Sequence, residues 1–284
     1  MERARVNGVE LEYQVKGSGD PVVFLHGGLL CDENTPLMDQ PALTDHFKVI
    51  NYHRRGFAGS EHPKGMATIE DQADDCHALL EHLGVEKAHV MGHSLGGVIA
   101  IQLAYAYPEH VHTLALMEPA LMAAIAKSQP NVDAKASQQQ FMAGMAKVQE
   151  VYETGDKRAA LQTFLQTRAG EAFRDVLEFL LKTGEFETAV KDADTFLQVE
   201  MPSAYRWDFG PAQAAQLKMP VVSILGAHSP PRAQKVEEFV ITWIPHTEKL
   251  VLPGAEHALA LFDPPGISQA LAGWFTKYPI GVAA

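Results

Sequence analysis

Cysteine is scarce in this chain, whose 284 residues include only Cys31 and Cys76. Two cysteines do not build the disulfide framework of a small secreted protein, and we interpret both as small packed residues. No apolar run is long enough to span a bilayer, and the opening residues do not resemble a signal peptide. These absences favour a reduced, cytoplasmic location, which we state as an expectation.

Positive charge is also in short supply, with 23 lysines and arginines against 35 acidic residues and a net charge of −12. Nucleic acid and anionic membrane surfaces are bound through positive patches, so neither is expected as a partner. The 13 histidines lack a metal-site spacing such as His-Glu-x-x-His, and the sequence holds no Walker-type phosphate loop. We therefore expect no metal and no cofactor, whereas a homodimer remains open.

The sequence does contain an alternation of strand and helix patterns that is typical of α/β proteins. Between residues 120 and 217 the strand patterns disappear and helical periodicity takes over, in a segment too long for a connecting loop. We predict a mostly parallel, eight-stranded sheet with helices on both faces, built from residues 1–119 and 218–284, and a helical insertion over residues 120–217. The predicted strands are residues 3–6, 9–15, 22–25, 47–52, 88–91, 110–117, 221–225 and 249–252, and the predicted helices include residues 36–45 and 259–274.

The most informative motif is Gly92-His93-Ser94-Leu95-Gly96, which lies between a predicted strand and an apolar helical run. This Gly-x-Ser-x-Gly context is typical of a nucleophile elbow, where a serine sits on a tight turn. Glycines two positions either side let the strand and the helix approach closely. The motif therefore predicts that Ser94 is a nucleophile at a helix N-terminus, where developing negative charge is favoured.

A serine hydroxyl needs a general base, and the base must be chosen by its position. His257 follows the last predicted strand and so reaches the same edge of the sheet as Ser94. His228 also follows a strand, but by a less direct approach, and His93 points away from its neighbour Ser94. We expect His26 to order its own turn. The predicted base is therefore His257.

Taken together, these motifs resemble those of the α/β-hydrolase superfamily over nearly the whole chain. The resemblance implies that Ser94 is the nucleophile and His257 the base. It also implies an oxyanion hole formed by the backbone N–H groups of Gly28 and Leu95, and it identifies residues 120–217 as a cap domain over the active site. The motifs that carry it, in family order, are His26-Gly27-Gly28, Arg55-Gly56-Phe57-Ala58-Gly59-Ser60, Gly92-His93-Ser94-Leu95-Gly96-Gly97 and Pro253-Gly254-Ala255-Glu256-His257.

The sequence departs from the family at the acid that orients the base. Most members carry an aspartate after the strand predicted at 221–225, but Ser229 stands at that position here. Glu118, at the end of the strand predicted at 110–117, matches branches that place the acid there, among them the zearalenone-degrading lactonases. This branch is the closer resemblance, and it implies that Glu118 is the triad acid. The alternative is that Glu118 caps the entry to the insertion and that another acid, such as Asp263, completes the triad.

A serine at the elbow, rather than an aspartate, argues against dehalogenase and epoxide hydrolase chemistry. We therefore predict a serine hydrolase that cleaves a small hydrophobic ester or lactone through an acyl-enzyme. Two alternatives remain open: a C–C bond hydrolase or haloperoxidase-like enzyme of the same fold, and a non-catalytic protein that binds small molecules. We predict that Trp207 lines the substrate pocket. The sequence does not show which of the other large apolar side chains of the insertion line the pocket and which belong to its core; these are Met142, Met145, Phe164, Phe173, Phe179, Phe186 and Phe196.

Overall fold

A computed structural model describes residues 1–65, 67–128, 132–169, 173–253, 257 and 259–281. Over these residues eight strands form one sheet in the order β1-β2-β4-β3-β5-β6-β7-β8. Strands β1 and β2 pair antiparallel, β2 pairs antiparallel with β4, and the remaining pairs are parallel. The predicted mostly parallel, eight-stranded sheet is therefore confirmed. Its strands are β1 Glu2–Val6, β2 Val9–Lys16, β3 Asp20–Leu25, β4 Phe47–Tyr52, β5 Ala88–His93, β6 Val111–Met117, β7 Val221–Gly226 and β8 Glu248–Leu252.

Thirteen α-helices lie among the described residues, together with a 3₁₀ turn at Thr35–Asp39 and a π-helical turn at Thr195–Glu200. The helices are α1 Pro41–Thr44, α2 Ile69–His82, α3 Ser94–Ala106, α4 Met122–Ser128, α5 Val132–Glu153, α6 Lys157–Ala169, α7 Phe173–Thr183, α8 Glu185–Lys191, α9 Met201–Arg206, α10 Pro211–Ala214, α11 Pro231–Trp243, α12 Leu259–Phe262 and α13 Pro264–Phe275.

Two predicted helices are interrupted by proline. The helix expected over 36–45 is the 3₁₀ turn followed by α1, because Pro41 lacks an N–H and holds Gln40 in an extended conformation. The helix expected over 259–274 is split into α12 and α13 at Asp263, which precedes Pro264 and does not adopt helical angles. Both predictions were wrong as single helices.

Both faces of the sheet are buried, and alternate residues of β3 show how. Val23 and Leu25 pack into a core with α2, α3 and α11. Val22 and Phe24, on the opposite face, pack into a second core with α1 and α13. Because both faces of these strands are buried, the strands consist of continuous apolar runs and not of alternating apolar and polar residues.

Residues 120–217, which we call the helical segment, carry α4 to α10, and the described part of this segment holds no strand. They build a third core in which Leu161, Phe186 and Phe196 pack together with Leu29 from the loop after β3 and Leu261 from α12. The helical segment therefore lies over the carboxyl ends of the strands. Its separation as a domain of its own stays a prediction.

One buried arginine joins the helical segment to the rest of the chain. Arg54, in the loop after β4, is 1% exposed. Its guanidinium donates to the carbonyl oxygens of His26, at 3.2 Å, and Gly27, at 2.7 Å, and also to the side chains of Gln72 and Glu200. Glu200 ends the π-helical turn. Arg54 therefore links the loop after β3, helix α2 and the helical segment.

The apolar stretches of this chain belong to these three cores. Among the described residues, no helix combines the length and the hydrophobicity that crossing a membrane requires.

Candidate active site

Ser94 stands at the junction of β5 and α3 with a left-handed backbone, φ +49°. Such a conformation is strained for a residue with a side chain and is typical of a nucleophile elbow. A Cβ on Gly92 would collide with the carbonyl group of Gly96, and a Cβ on Gly96 with the carbonyl oxygens of Leu25 and His26. Both glycines are therefore required for α3 to pack this closely against β3 and β5.

Glu118 follows β6 directly and adopts φ +45°, with a side chain that is almost entirely buried. One carboxylate oxygen, Oε2, lies 2.6 Å from Nδ1 of His257. The other, Oε1, accepts hydrogen bonds from the backbone N–H of Gly226, at 2.9 Å, and from the hydroxyl of Ser229. The fold thus brings together the predicted acid and the predicted base, which are 139 residues apart in the chain.

These hydrogen bonds determine the charge of Glu118. Burial acts to raise the pKa of its carboxyl group, but the hydrogen bonds from His257, Ser229 and Gly226 outweigh burial and hold the pKa below its ordinary value. The group is therefore an anion at neutral pH, as the orienting acid of a triad must be.

Asp263, the alternative acid, is engaged elsewhere. Its side chain caps the N-terminus of α13 by accepting a hydrogen bond, 3.0 Å long, from the backbone N–H of Gly266. Between the two predicted carboxylates, the geometry favours Glu118. Gly254, Ala255 and Glu256 of the motif that ends in His257 lie outside the described residues.

A second histidine-carboxylate pair, His93 and Glu33, contacts the backbone of His257. Nε2 of His93 lies 2.8 Å from the carbonyl oxygen of His257, and Nδ1 of His93 lies 2.8 Å from Oε1 of Glu33. Both partners are hydrogen-bond acceptors, so only a protonated imidazole satisfies them both. Burial acts to lower the pKa of His93, but Glu33, the charge of Glu118 and the carbonyl group of His257 together outweigh burial and raise it. His93 is therefore a cation that holds the backbone carbonyl group of His257.

Sequence reasoning missed this pair. It expected His93 to point away from Ser94 and assigned it no function, and it did not consider Glu33. The only available signal was the position of His93 inside the elbow. Glu33 lies in a loop with no motif of its own, so no pattern in the sequence pointed to it.

The turn that carries Gly28 is held from several sides. Arg54 binds the carbonyl groups of His26 and Gly27, and Glu33 accepts a 2.5 Å hydrogen bond from the N–H of Gly27. A Cβ on Gly28 would come within 2.6 Å of the ring of Phe196. Glycine is therefore needed where the helical segment approaches this turn.

Gly28, Ser94, Leu95 and His257 line one cavity of about 550 Å³. Leu95 lies in the first turn of α3, where backbone N–H groups have no acceptor one turn earlier in the helix. Most of the remaining lining is apolar and comes from the helical segment, the loop after β3 and α12, including Leu29, Met122, Phe141, Phe164, Leu165, Val176, Phe196, Met201, Ala204 and Phe262. The polar or charged lining residues outside the predicted triad are Glu33, His93, Tyr205, His228 and Arg232.

Trp207 does not line this cavity, and our prediction for it was wrong. Its side chain is buried and stacks on Phe209, with 4.7 Å between the ring centroids, while its indole N–H donates to Gln102 of α3 at 2.9 Å. Because the indole N–H finds its partner on α3, the ring packs in the core below the cavity.

The large apolar side chains of the helical segment that the sequence could not assign to pocket or core occupy different positions. Phe164 and Phe196 line the cavity, whereas Phe186 is fully buried in the core of the segment and Met142 is exposed. The side chain of Phe173 lies outside the described residues.

Both cysteines are free and buried, as the sequence suggested. Burial raises the pKa of the Cys31 thiol and raises that of Cys76 to about 12, so both are protonated at neutral pH. Cys31, Asp32 and His53 place one potential metal ligand atom each within 4.8 Å of one another. The two ring nitrogens of His53, however, are engaged by Glu12 and Asp32. The expectation of no metal stays a prediction.

Comparison with solved structures places this architecture among known hydrolases. A thermophilic esterase from Thermogutta terrifontis matches 98% of this chain and 99% of its own, with a TM-score of 0.78 and 22% identity. The enol-lactonase from Burkholderia xenovorans LB400 matches 97% of this chain and 100% of its own, with a TM-score of 0.75 and 22% identity. At such identities the likeness shows the fold.

Comparison by sequence gives the family. The uncharacterized hydrolase YraK of Bacillus subtilis is 33% identical over 122 residues, which are 42% of this chain and 44% of that protein. The chain thus matches less than half the length of this curated relative. The family model described as alpha/beta hydrolase fold, in contrast, matches residues 20–264. From the eight-stranded sheet, the elbow at Ser94 and this match, we conclude that the chain belongs to the α/β hydrolase fold family.

Proposed function

We propose that this protein is a serine hydrolase that cleaves a carboxylic ester or a lactone, with Ser94, His257 and Glu118 as its triad. The observation that carries the proposal is the hydrogen bond of 2.6 Å between Glu118 and Nδ1 of His257, beside a strained serine in the same cavity. An acid, a base and a nucleophile in this relation are what acyl transfer through a hydroxyl requires.

In the first half of the reaction, the hydroxyl oxygen of Ser94 attacks the carbonyl carbon while His257 takes the hydroxyl proton on Nε2. The tetrahedral intermediate then collapses, the bond to the leaving alcohol breaks, and His257 returns the proton to that alcohol. The product is an acyl-enzyme on Ser94. In a lactone, the leaving alcohol stays attached to the acyl group.

In the second half, water replaces the alcohol. The water oxygen attacks the acyl carbon while His257 takes a proton from the water. His257 then gives this proton to the oxygen of Ser94 as the bond between Ser94 and the acyl group breaks and the free acid leaves. Glu118 stays ionised throughout and stabilises the imidazolium form of His257. It also fixes the imidazole tautomer, because its carboxylate accepts from Nδ1.

The negative charge on the tetrahedral oxygen needs donors, and we assign the backbone N–H groups of Gly28 and Leu95 to this role. Gly28 lies in the turn that Arg54 and Glu33 brace, so its N–H is held in place before substrate binds. Leu95 lies in the first turn of α3, where the helix dipole favours negative charge. Loss of one such donor in a serine protease costs about 3 kcal/mol of transition-state stabilisation.

Ser94→Ala tests the proposal. Removal of the nucleophile is expected to lower the kcat for p-nitrophenyl ester hydrolysis by roughly a millionfold, by analogy with a serine protease. The wild type is expected to be labelled covalently by a fluorophosphonate probe, and the variant not. Ser128→Ala is the matched control, because Ser128 lies at the end of α4 and is not among the cavity-lining residues.

Two results would contradict the proposal. Full activity in Ser94→Ala would remove the serine from the mechanism. A wild type that binds substrates but neither turns them over nor takes the label would instead be a binding protein of this fold. A panel of linear esters and lactones of graded size, run on the wild type, separates esterase from lactonase preference.

A further inference from the structure

Arg232 is a cation in the cavity that none of the described residues neutralises. It lies in the first turn of α11, three residues after Ser229, and lines the same cavity as Ser94 and His257. No hydrogen bond or ion pair joins its guanidinium to any residue in the described part of the chain. The two described arginines with largely buried side chains other than Arg232 each have a carboxylate partner, namely Glu200 for Arg54 and Asp75 for Arg55.

The charges around Arg232 are already paired with one another. Among the cavity-lining residues, Glu33 is engaged by His93. Glu118, behind the lining, is engaged by His257, Ser229 and Gly226. Burial lowers the pKa of Arg232 and the charge of Glu118 opposes that shift, but a guanidinium keeps its proton at neutral pH.

An unpaired cation in a largely apolar cavity is costly unless something that enters the cavity compensates it. The chain as a whole is strongly acidic, with a net charge of −12, and yet this cavity presents an arginine. A guanidinium presents two parallel N–H groups that match the two oxygens of a carboxylate. The partner that fits Arg232 is therefore a carboxylate on the ligand.

We propose that Arg232 binds a carboxylate of the substrate, so that the preferred substrate is an ester or lactone that carries a second, anionic group. The inference rests on the proposed function and names the class of substrate at the same site. The apolar lining, with Phe164 and Phe196, holds the hydrocarbon part of the substrate. Arg232 then orients the substrate through its charged end.

The kinetic test compares two substrates that differ in charge. Mono-p-nitrophenyl adipate carries a free carboxylate at the end of a six-carbon acyl chain, and p-nitrophenyl hexanoate is its uncharged counterpart. In the wild type we expect the higher kcat/KM for the adipate. In Arg232→Gln we expect the ratio of the two kcat/KM values to fall roughly ten- to a hundredfold, the usual size of a hydrogen-bonded charge interaction.

Lys235→Gln is the matched control. It removes the same charge from the same helix, but Lys235 is exposed and does not line the cavity. We expect this variant to keep the wild-type ratio. An equal drop of the ratio in both variants would mean that only the overall charge matters, and it would overturn the proposal.

A binding measurement separates this inference from the proposed function. In the Ser94→Ala variant, which is expected not to turn over the ester, calorimetry measures the dissociation constants of monomethyl adipate and dimethyl adipate. Adding Arg232→Gln is expected to weaken binding of the monoester at least tenfold more than binding of the diester. This result supports the role of Arg232 even if Ser94 is not the nucleophile.

Two outcomes would overturn the inference. The first is an unchanged preference for the anionic substrate, in kinetics and in binding, in Arg232→Gln. The second is an equal loss for both esters together with a shift of the acidic limb of the pH profile to higher pH. That pattern would mean that Arg232 acts on Glu118 and does not bind substrate.

Discussion

Ser229 stands where most α/β hydrolases carry the triad acid, and its hydroxyl donates to Glu118. The carboxylate thus comes from the end of β6, while two of its hydrogen-bond donors, Ser229 and Gly226, come from the end of β7. In the proposed triad the acid thus stands one strand away from the usual position, and the residue at the usual position donates a hydrogen bond to it. We therefore expect a carboxylate at position 229 to reach His257 as well.

This arrangement leads to a prediction for a double variant at positions 118 and 229. Glu118→Gln alone is expected to lower kcat for ester hydrolysis by roughly ten-thousandfold, as the amide does in a serine protease. Combining it with Ser229→Asp returns a carboxylate to the usual position, and we expect at least a tenfold recovery of kcat, measured with p-nitrophenyl esters.

The single variants complete that experiment. Ser229→Asp in the presence of Glu118 is expected to lower activity, because two carboxylates in contact do not both stay ionised. Ser229→Ala, which adds no charge, controls for the lost hydrogen bond. If the double variant were no more active than Glu118→Gln, position 229 would not reach the base.

At the scale of elements, the site depends on how closely α3 packs against β3 and β5. The contact is backbone against backbone, since Gly96 lies against the carbonyl groups of Leu25 and His26. These carbonyl groups lead directly into the turn that carries Gly28. A displacement of α3 would therefore move the nucleophile and one candidate oxyanion donor relative to the other donor.

Two glycine-to-alanine variants test this packing. Gly96→Ala is expected to destabilise the protein by about 1–3 kcal/mol, because the added Cβ collides with backbone that cannot rotate away. Gly273→Ala, in the exposed part of α13 with no atom near its Cβ, is expected to stabilise it by about 0.5–1 kcal/mol. Urea unfolding measures both, and equal effects would show that the contact at Gly96 is not tight.

At the scale of the whole molecule, Arg54 connects the catalytic core to the helical segment. The same guanidinium holds the carbonyl groups of His26 and Gly27 and pairs with Glu200, which is also buried. One charge thus contacts both the turn that carries Gly28 and the helical segment. We expect stability and activity to change together when that charge loses its partner.

Glu200→Gln removes the partner and keeps the shape of the side chain. We expect a loss of about 3–5 kcal/mol in the free energy of unfolding, the usual effect of leaving one buried charge uncompensated. We also expect lower kcat for ester hydrolysis. Glu187→Gln breaks an exposed pair with Arg158 in the same segment and is expected to change little. Similar effects in both variants would show that burial of the Arg54 pair does not matter.

The sequence by itself determined the class of fold, and it predicted three candidate site residues. Continuous apolar runs predicted the strands, because both faces of the sheet are buried, and the elbow glycines predicted Ser94. The prediction of His257 followed from a geometric rule, that parallel strands end at a common edge, whereas Glu118 came from the resemblance to hydrolases that carry the acid after this strand. Local patterns carry this information because each pattern reflects the immediate surroundings of a strand or a turn.

Only the tertiary structure decided what reaches the site from elsewhere. Three features depend on contacts between distant parts of the chain: the hydrogen bonds that link Glu33, His93 and the carbonyl oxygen of His257, the burial of Trp207 against Gln102, and the position of Arg232 in the cavity, where no described residue pairs with it. Side-chain direction and charge pairing are set by the neighbours that folding supplies, and no local pattern specifies those neighbours. The strands and the elbow could therefore be predicted, while the lining of the cavity could not.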